Sequence, residues 1–286
     1  MNIVQPSSLN ELVATLGDDD DTKIIGGGTA VVLMIQQGLI FPGRLASLQR
    51  ITGLSGITEH DDCVAIGAMT TLREVANAPC LRRCFPALTG ACAIVGNVRI
   101  RNVATLGGNL AEADYASDPP ATLVALGATV HITGQDGARE SSVEELLTGF
   151  YSTSLCPTEV ITHVTIPKTS PPTRQTYLKY RSRSSEDRPC VGVASSVRLA
   201  GDGDTVEELR VVVGATAAVP QRFPNIEAFA TDNTLDASTI AQIADGYAES
   251  IEALDDLRGS AWYRRQMTRV FVTRTLTALT HEQGVA

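Results

Sequence analysis

The chain has 286 residues, with 23 Lys+Arg against 32 Asp+Glu and a formal charge of −9. That length predicts about two domains, and the acidic balance argues against nucleic acid or an anionic membrane surface as the main partner. Hydrophobic residues make up 43% and charged residues 19%, the profile of a chain that folds throughout.

No window approaches 18 consecutive apolar residues, and the opening MNIVQPSSLNELV carries neither a basic nor an apolar leader segment, so a soluble, cytoplasmic protein without a membrane span is expected. The six cysteines, Cys63, Cys80, Cys84, Cys92, Cys156 and Cys190, contain no CxxC and spell neither a disulfide framework nor a zinc ribbon.

In chain order, Ser8 with Glu11 three residues later predicts a capping box and a helix to Leu16. Gly17 and the aspartates Asp18 to Asp21 end it in a solvated turn. Ile24-Ile25 is a strand end running into Gly26-Gly27-Gly28-Thr29, and Ala30 to Ile35 is a continuous apolar stretch, read as a buried helix or strand closed by Gly38. A strand is expected at Cys63–Ala68, a helix capped by Thr70 or Thr71 after it, a further helix over Pro86–Val95, and a strand at Thr129–Thr133. Prolines 167, 171 and 172 mark a linker over Pro167–Thr173. Beyond it, Val191–Leu199 and Val206–Val213 flank Gly201-Asp202-Gly203-Asp204 as a hairpin. From Leu235 the apolar positions Ile240, Ile243, Ala244, Tyr247 and Ile251 recur at helical spacing, followed by Tyr263–Leu279. Sheet followed by helices makes the class α+β.

Two glycine clusters carry the chemistry. Gly26-Gly27-Gly28-Thr29 lies between a strand and an apolar element, where successive backbone N–H groups can form an anion nest. It is neither a GxGxxG, since Val31 stands at the third glycine, nor a P-loop. Thr105-Leu106-Gly107-Gly108-Asn109 is the second. A structural turn accounts for either cluster alone; the two together fit one dinucleotide cofactor, whose pyrophosphate needs more than one donor loop. Asp118 reads either as a partner for a ribityl or ribose hydroxyl or as the cap of a helix opened by Pro119-Pro120. No GxSxG or HExxH occurs, and His60, His131, His163 and His281 lack ligand spacing. Cys80, Cys84 and Cys92 read as helix packing.

Four segments, Ile24–Thr29, Ile94–Asn102, Thr105–Ala111 and Ser117–Ala121, resemble the FAD-binding medium subunit of molybdenum hydroxylases, the family of the carbon monoxide dehydrogenase medium chain and the xanthine dehydrogenase flavin domain. Val213–Arg222 and Asp256–Arg265 are similar to that family's C-terminal domain, so the resemblance covers nearly the whole chain in order.

The resemblance implies a vanillyl-alcohol-oxidase-type FAD-binding domain over residues 1–168, in subdomains of about 1–55 and 56–168, followed by a C-terminal α+β domain over 174–286. It implies that Ile24, Ile25, Gly26, Gly27, Gly28, Thr29, Ala30 and Val31 wrap the pyrophosphate. Val95, in the neighbouring motif, is implied as a further cofactor-binding residue, and Thr105, Gly107, Gly108 and Asn109 give the second set of contacts. Asp118 falls at the family's flavin-contacting aspartate, Ile161 at a backbone contact, and Lys179 at the flavin-side lysine, whose charge would favour an anionic reduced flavin. No catalytic side chain and no metal ligand are implied. The chain departs from the pattern at Ala30-Val31, at Tyr115 where many relatives have proline, and at Glu186-Asp187-Arg188-Pro189, which offers no aromatic to stack on the ring. An insertion carrying a four-iron cluster is absent from the sequence.

The implied function is an electron-transfer subunit with FAD, working beside a large molybdopterin-binding subunit and a small [2Fe–2S] subunit and passing electrons to an external acceptor such as NAD, a quinone or oxygen. A stand-alone flavin- or nucleotide-binding module is the alternative, and an FAD oxidase acting directly on substrate is a third. On this reading Gly107→Val empties the flavin site while leaving the fold intact.

Overall fold

A computed structural model describes residues 2–18, 21–170 and 173–280. Asp19, Asp20, Pro171, Pro172 and His281, named above, lie outside these residues. The elements run β1 (Asn2–Val4), α1 (Leu9–Gly17), β2 (Thr22–Ile25), α2 (Val31–Gln36), β3 (Arg44–Ser47), β4 (Ile57–Glu59), β5 (Cys63–Gly67), α3 (Leu72–Asn77), α4 (Pro79–Cys84), α5 (Pro86–Ala93), α6 (Val98–Arg101), α7 (Leu106–Glu112) and α8 (Pro119–Ala125). There follow β6 (Thr129–Gly134), β7 (Gly137–Ser142), α9 (Val143–Leu146), β8 (Leu147–Gly149), β9 (Ser152–Thr153), β10 (Val160–Pro167), β11 (Arg174–Tyr180), β12 (Val191–Leu199), β13 (Val206–Gly214), α10 (Pro224–Glu227), α11 (Ala237–Ser250) and α12 (Ala261–Thr280). The α+β class expected from the sequence is what the chain adopts.

The first layer is a parallel sheet in the order β1-β3-β2. Ser8 caps α1 by accepting from the Glu11 amide, but the Glu11 carboxylate reaches back to Ser7, one residue earlier than a capping box requires. Leu12 and Leu16 of that helix pack with Ala46, Leu48, Ile51, Leu54 and Val160. The apolar run after the glycines is helical, but it is not buried: α2 holds no buried residue, and Val32 and Leu33 are 43% and 48% exposed. Parallel neighbours β2 and β3 need a crossover, and α2 is that crossover. Among the described residues no element packs broadly over α2, so its unbroken apolar run is left half-buried or exposed.

The second layer is the antiparallel sheet β4-β5-β10-β6-β7. Its inner face, with Val64, Ile66, Val130, Ile132, Val164 and Ile166, is covered by Leu72 and Val75 of α3, Leu88 of α5, Leu106 and Leu110 of α7 and Leu123 of α8. Thr71 starts α3 with a complete capping box to Glu74.

The third layer is the antiparallel meander β11-β12-β13. In the turn before β13, the Asp202 carboxylate accepts from the Asp204 and Thr205 amides and the Thr205 hydroxyl, an Asx turn that fixes the expected hairpin. Val191, Val193, Val197, Val211 and Val213 pack against Ile240, Ile243 and Tyr247 of α11 and Phe271, Val272 and Leu276 of α12. On the other face of the same strands, Ala194 and Val212 join the second core, and the Ser196 hydroxyl donates to the Ala125 carbonyl of α8. With a core on each side, β12 is buried continuously from Val191 to Val197, serines included.

His131 and His163 face each other across β6 and β10, their rings stacked 4.0 Å apart, with Glu140 3.3 Å from His131. Burial, and then the field of His131, lower the His163 pKa against a weaker opposing pull from Glu140. The unfolded chain therefore takes up this proton first as pH falls. The contribution to stability is complete above the ordinary histidine value of about 6.5 and is lost progressively below it. His163→Gln is expected to flatten the decline of urea-unfolding stability below about pH 6.5; an unaltered pH slope would contradict this assignment.

Candidate flavin site

The two glycine clusters meet. After β2 the chain turns through Gly26 to Ala30 into α2, with Gly28 at φ +77°, a left-handed backbone that favours glycine. A Cβ on Gly27 would lie 1.7 Å from the Val103 carbonyl oxygen, and one on Gly26 would lie 3.2 Å from Thr105 Oγ1. The first loop thus rests directly on the segment leading into α7, and at Gly27 no side chain can be accommodated. The backbone amides of Gly27, Gly28, Thr29 and Ala30 make no hydrogen bond among the described residues. Four unsatisfied donors in one turn form a nest suited to an anion.

The second cluster is built differently. Thr105 caps α7 by accepting from the Gly108 amide at 3.1 Å. The Gly107 amide donates to Ala68 at 2.8 Å, and a Cβ there would meet the Ala68 side chain at 2.5 Å. Gly107 is buried in the helix's inner face, and its amide is already taken. Gly107→Val therefore forces α7 away from the segment after β5 and disturbs the core, contrary to the expectation of an intact fold with an empty site. Asn109 projects from α7, and its side-chain amide exchanges hydrogen bonds of 2.8 and 3.0 Å with the Ser117 hydroxyl.

Asp118 follows Ser117 and is 2% exposed. Lys179 Nζ contacts Asp118 Oδ2 at 2.8 Å, Tyr177 donates its hydroxyl to Oδ1 at 2.6 Å, and Lys179 also donates to the Ile94 carbonyl at 3.3 Å. Asp118 stands at the N-terminus of α8, yet its side chain makes no capping bond; the helix-cap reading describes its place and not its partners. Burial pushes the carboxyl up, against the pull of Lys179 and Tyr177, and burial drives the Tyr177 phenol well above its ordinary value. The Lys179 ammonium is thus committed to Asp118 and the Ile94 carbonyl inside the protein.

The remaining predicted positions fall around these centres. Ile24 and Ile25 pair with Ala46 and Ser47 in the first sheet, Ala30 precedes α2 and Val31 opens it. The Val95 and Gly96 carbonyls accept from Arg101. Ile161 is buried beside a bulge in β10, where the Thr162 carbonyl accepts from the Ala68 amide, so the Ala68 residue that grips Gly107 also grips this strand. Sequence reasoning missed Asn97, Asp114 and Ser117. Asn97 caps α6 and reaches Glu186 at 3.3 Å, and Asp114 pairs with Arg188 at 2.7 Å. Those two ties anchor the C-terminal part of the 181–189 loop, which lacks the aromatic, through Glu186 and Arg188. Among the described residues, no group of three or more His, Cys, Asp or Glu side chains gathers as a metal site, and no helix is long and apolar enough to cross a membrane.

A family model for the FAD binding domain in molybdopterin dehydrogenase matches residues 1–169, and one for the CO dehydrogenase flavoprotein C-terminal domain matches residues 176–279. The chain is 30% identical over 272 residues to the nicotine 6-hydroxylase medium subunit of Paenarthrobacter nicotinovorans, covering 95% of this chain and 94% of that one. It is 29% identical over 274 residues to the carbon monoxide dehydrogenase medium chain of Hydrogenophaga pseudoflava, covering 96% and 94%. Its fold is similar to a chain in a solved structure of carbon monoxide dehydrogenase from that organism, with a TM-score of 0.93, 29% identity and coverage of 98% and 96%.

Removing one member of the buried pair tests its energetics. Lys179→Met is expected to lower unfolding free energy in urea by about 3–5 kcal/mol by stranding a buried carboxylate, and adding Asp118→Asn should restore part of that loss. A Lys179→Met chain as stable as the parent would show that the pair is not a closed unit.

Proposed function

The chain belongs to the family of FAD-binding medium subunits of molybdenum hydroxylases, and on that basis we propose that it is the electron-transferring flavin subunit of such a complex. Its cofactor is FAD. In this reading it takes electrons from iron–sulfur clusters on a small subunit, beside a large molybdopterin-binding subunit, and delivers them to an external acceptor such as NAD, a quinone or oxygen. The residues proposed to hold the cofactor are those of the two loops together with Asp118, Ile161 and Lys179.

The observation that carries the reading is the seating of the first glycine loop on Val103–Thr105 with four free amides beside it. The cradle would receive a pyrophosphate where a side chain does not fit, and Asn109 in the middle of α7 with Ser117 beyond the helix sets a second group of polar atoms. Bound FAD supplies one-electron acceptance and two-electron discharge. The protein's part is to bind and orient it: Thr105 fixes the start of α7, and Asp118 and Lys179, held to each other, would offer the cofactor a fixed polar pair. The proposed division into residues 1–168 and 174–286 is supported by where the two family models stop and start. A cytoplasmic setting is supported by six free cysteines.

The purified chain is expected to show an oxidised-flavin visible spectrum, to release FAD on denaturation, and to co-purify from its native host with a large and a small subunit. A colourless chain that cannot be reconstituted with FAD would sink the proposal; a flavin-loaded chain that never co-purifies with partners would favour the stand-alone module.

Gly27→Ala places a methyl group against the Val103 carbonyl. It is expected to abolish FAD retention, with the C-terminal layer still folded by near-UV circular dichroism and Trp262 fluorescence. Full flavin occupancy in this variant would refute the close contact of the two loops.

A further inference from the structure

The segment 113–118 joins α7, which carries Asn109, to Asp118, and it has no regular structure of its own. It begins at Ala113, held at φ +49°. The Ala113 carbonyl accepts from the Tyr151 amide, and Asp114 pairs with Arg188. Tyr115 lies at its centre. The Tyr115 carbonyl accepts from the Ala215 amide at 3.2 Å. Its hydroxyl donates to Asp256 Oδ2 at 3.0 Å and accepts from Arg258 at 2.8 Å. The ring is edge-on to Phe150 at 5.1 Å and to Tyr151 at 6.2 Å.

The far side of this contact is held by a buried hydrogen-bond network. Asp256 is also bonded by Arg264, which is fully buried and donates to the carbonyls of Cys190 and Ala215. Ala215, at φ +66°, therefore holds Tyr115 through its amide and Arg264 through its carbonyl. Burial alone would raise the Asp256 carboxyl, but the Arg258 amide, Tyr115 and Arg264 together hold it below the ordinary carboxylate range. A charged acceptor fixed in this way makes a strong hydrogen-bond partner.

We propose that Tyr115 is a positioning residue through which the Asp256–Arg258–Arg264 network of the C-terminal layer pre-orders the loop that carries Ser117 and Asp118, and through the Ser117 hydroxyl steadies Asn109 of α7, for FAD. The inference rests on the reading that this loop holds the flavin. A loop ordered before binding loses less conformational freedom on binding, so removing the hydroxyl weakens cofactor affinity while Tyr115 itself need not touch the cofactor.

The test uses the full chain stripped of flavin and titrated with FAD, following the quenching of flavin fluorescence, with urea unfolding of the apo chain as a second readout. Tyr115→Phe keeps the ring against Phe150 and Tyr151 and deletes only the hydroxyl. Its Kd for FAD is expected to rise about tenfold, the equivalent of about 1.4 kcal/mol, under conditions where the apo chain is fully folded. Arg258→Met should give a similar rise, and the double variant should be no weaker than either alone. A Kd within twofold of the parent in Tyr115→Phe, with or without a loss of stability, overturns the proposal, as does a double variant whose effects multiply to about a hundredfold. Asn109→Ala separates the two levels of the argument. If it leaves FAD affinity unchanged, the flavin reading of the loop fails; if it weakens affinity while Tyr115→Phe does not, only the positioning role fails.

Discussion

Val103 presents its carbonyl to a turn that has no room for a Cβ, and the rest of the site follows from that approach. For Gly27 to lie there, β2 must deliver the chain to the start of α7, which the parallel pairing of β2 with β3 and the short crossover α2 allow. For Val103 to be there, the segment before α7 must be pinned on its other side. The Thr70 and Ala68 carbonyls do this by accepting from the Leu106 and Gly107 amides. The first loop supplies free donors and the second supplies a floor. The glycines are thus unequal in function: Gly27 and Gly107 are both needed for close packing, but only the first lies in a turn whose amides remain open.

The second constraint is electrostatic. A carboxylate and an ammonium, both almost fully buried, stay charged inside a protein only when each completes the other's hydrogen bonding. Here the Tyr177 hydroxyl and the Ile94 carbonyl supply the missing partners. The pair bridges α8 and β11, so the strand that begins the third layer is tied to the helix that closes the second. The charge environment around Asp118 is a property of two segments 61 residues apart and of the packing that brings them together.

Where an element is set by local chemistry, it was legible in the residues: the helix start at Thr70 or Thr71, the hairpin across Gly201–Asp204, and the helical spacing from Ile240 to Ile251 all reappear in the fold, although the capping box expected at Ser8 is only half formed. The pairing of the two glycine clusters was legible as a chemical requirement, because one pyrophosphate needs several donors, although the Gly27–Val103 contact itself was not. What could not be read depended on distant partners. An unbroken apolar run does not say whether a helix has one neighbour or two, so α2 was expected to be buried. A glycine that packs and a glycine that binds have the same letter, so the close seating of Gly107 on Ala68 could not be read from the residues. The Asp256 partner of Tyr115 lies 141 residues away, and no local pattern announces it.

The meander β11-β12-β13 has a core on each of its faces, and α8 lies against it with Ala121 to Ala125 wholly enclosed. The proline-marked junction therefore divides the polypeptide without dividing the folding unit. A flavin-binding half excised at that junction would lose the wall that encloses α8, the lysine that balances Asp118 and the anchor of Tyr115 in a single cut. Evolutionary exchange of this module between electron-transfer systems would have to carry both halves together, which the relatives matching the chain over nearly its full length also do.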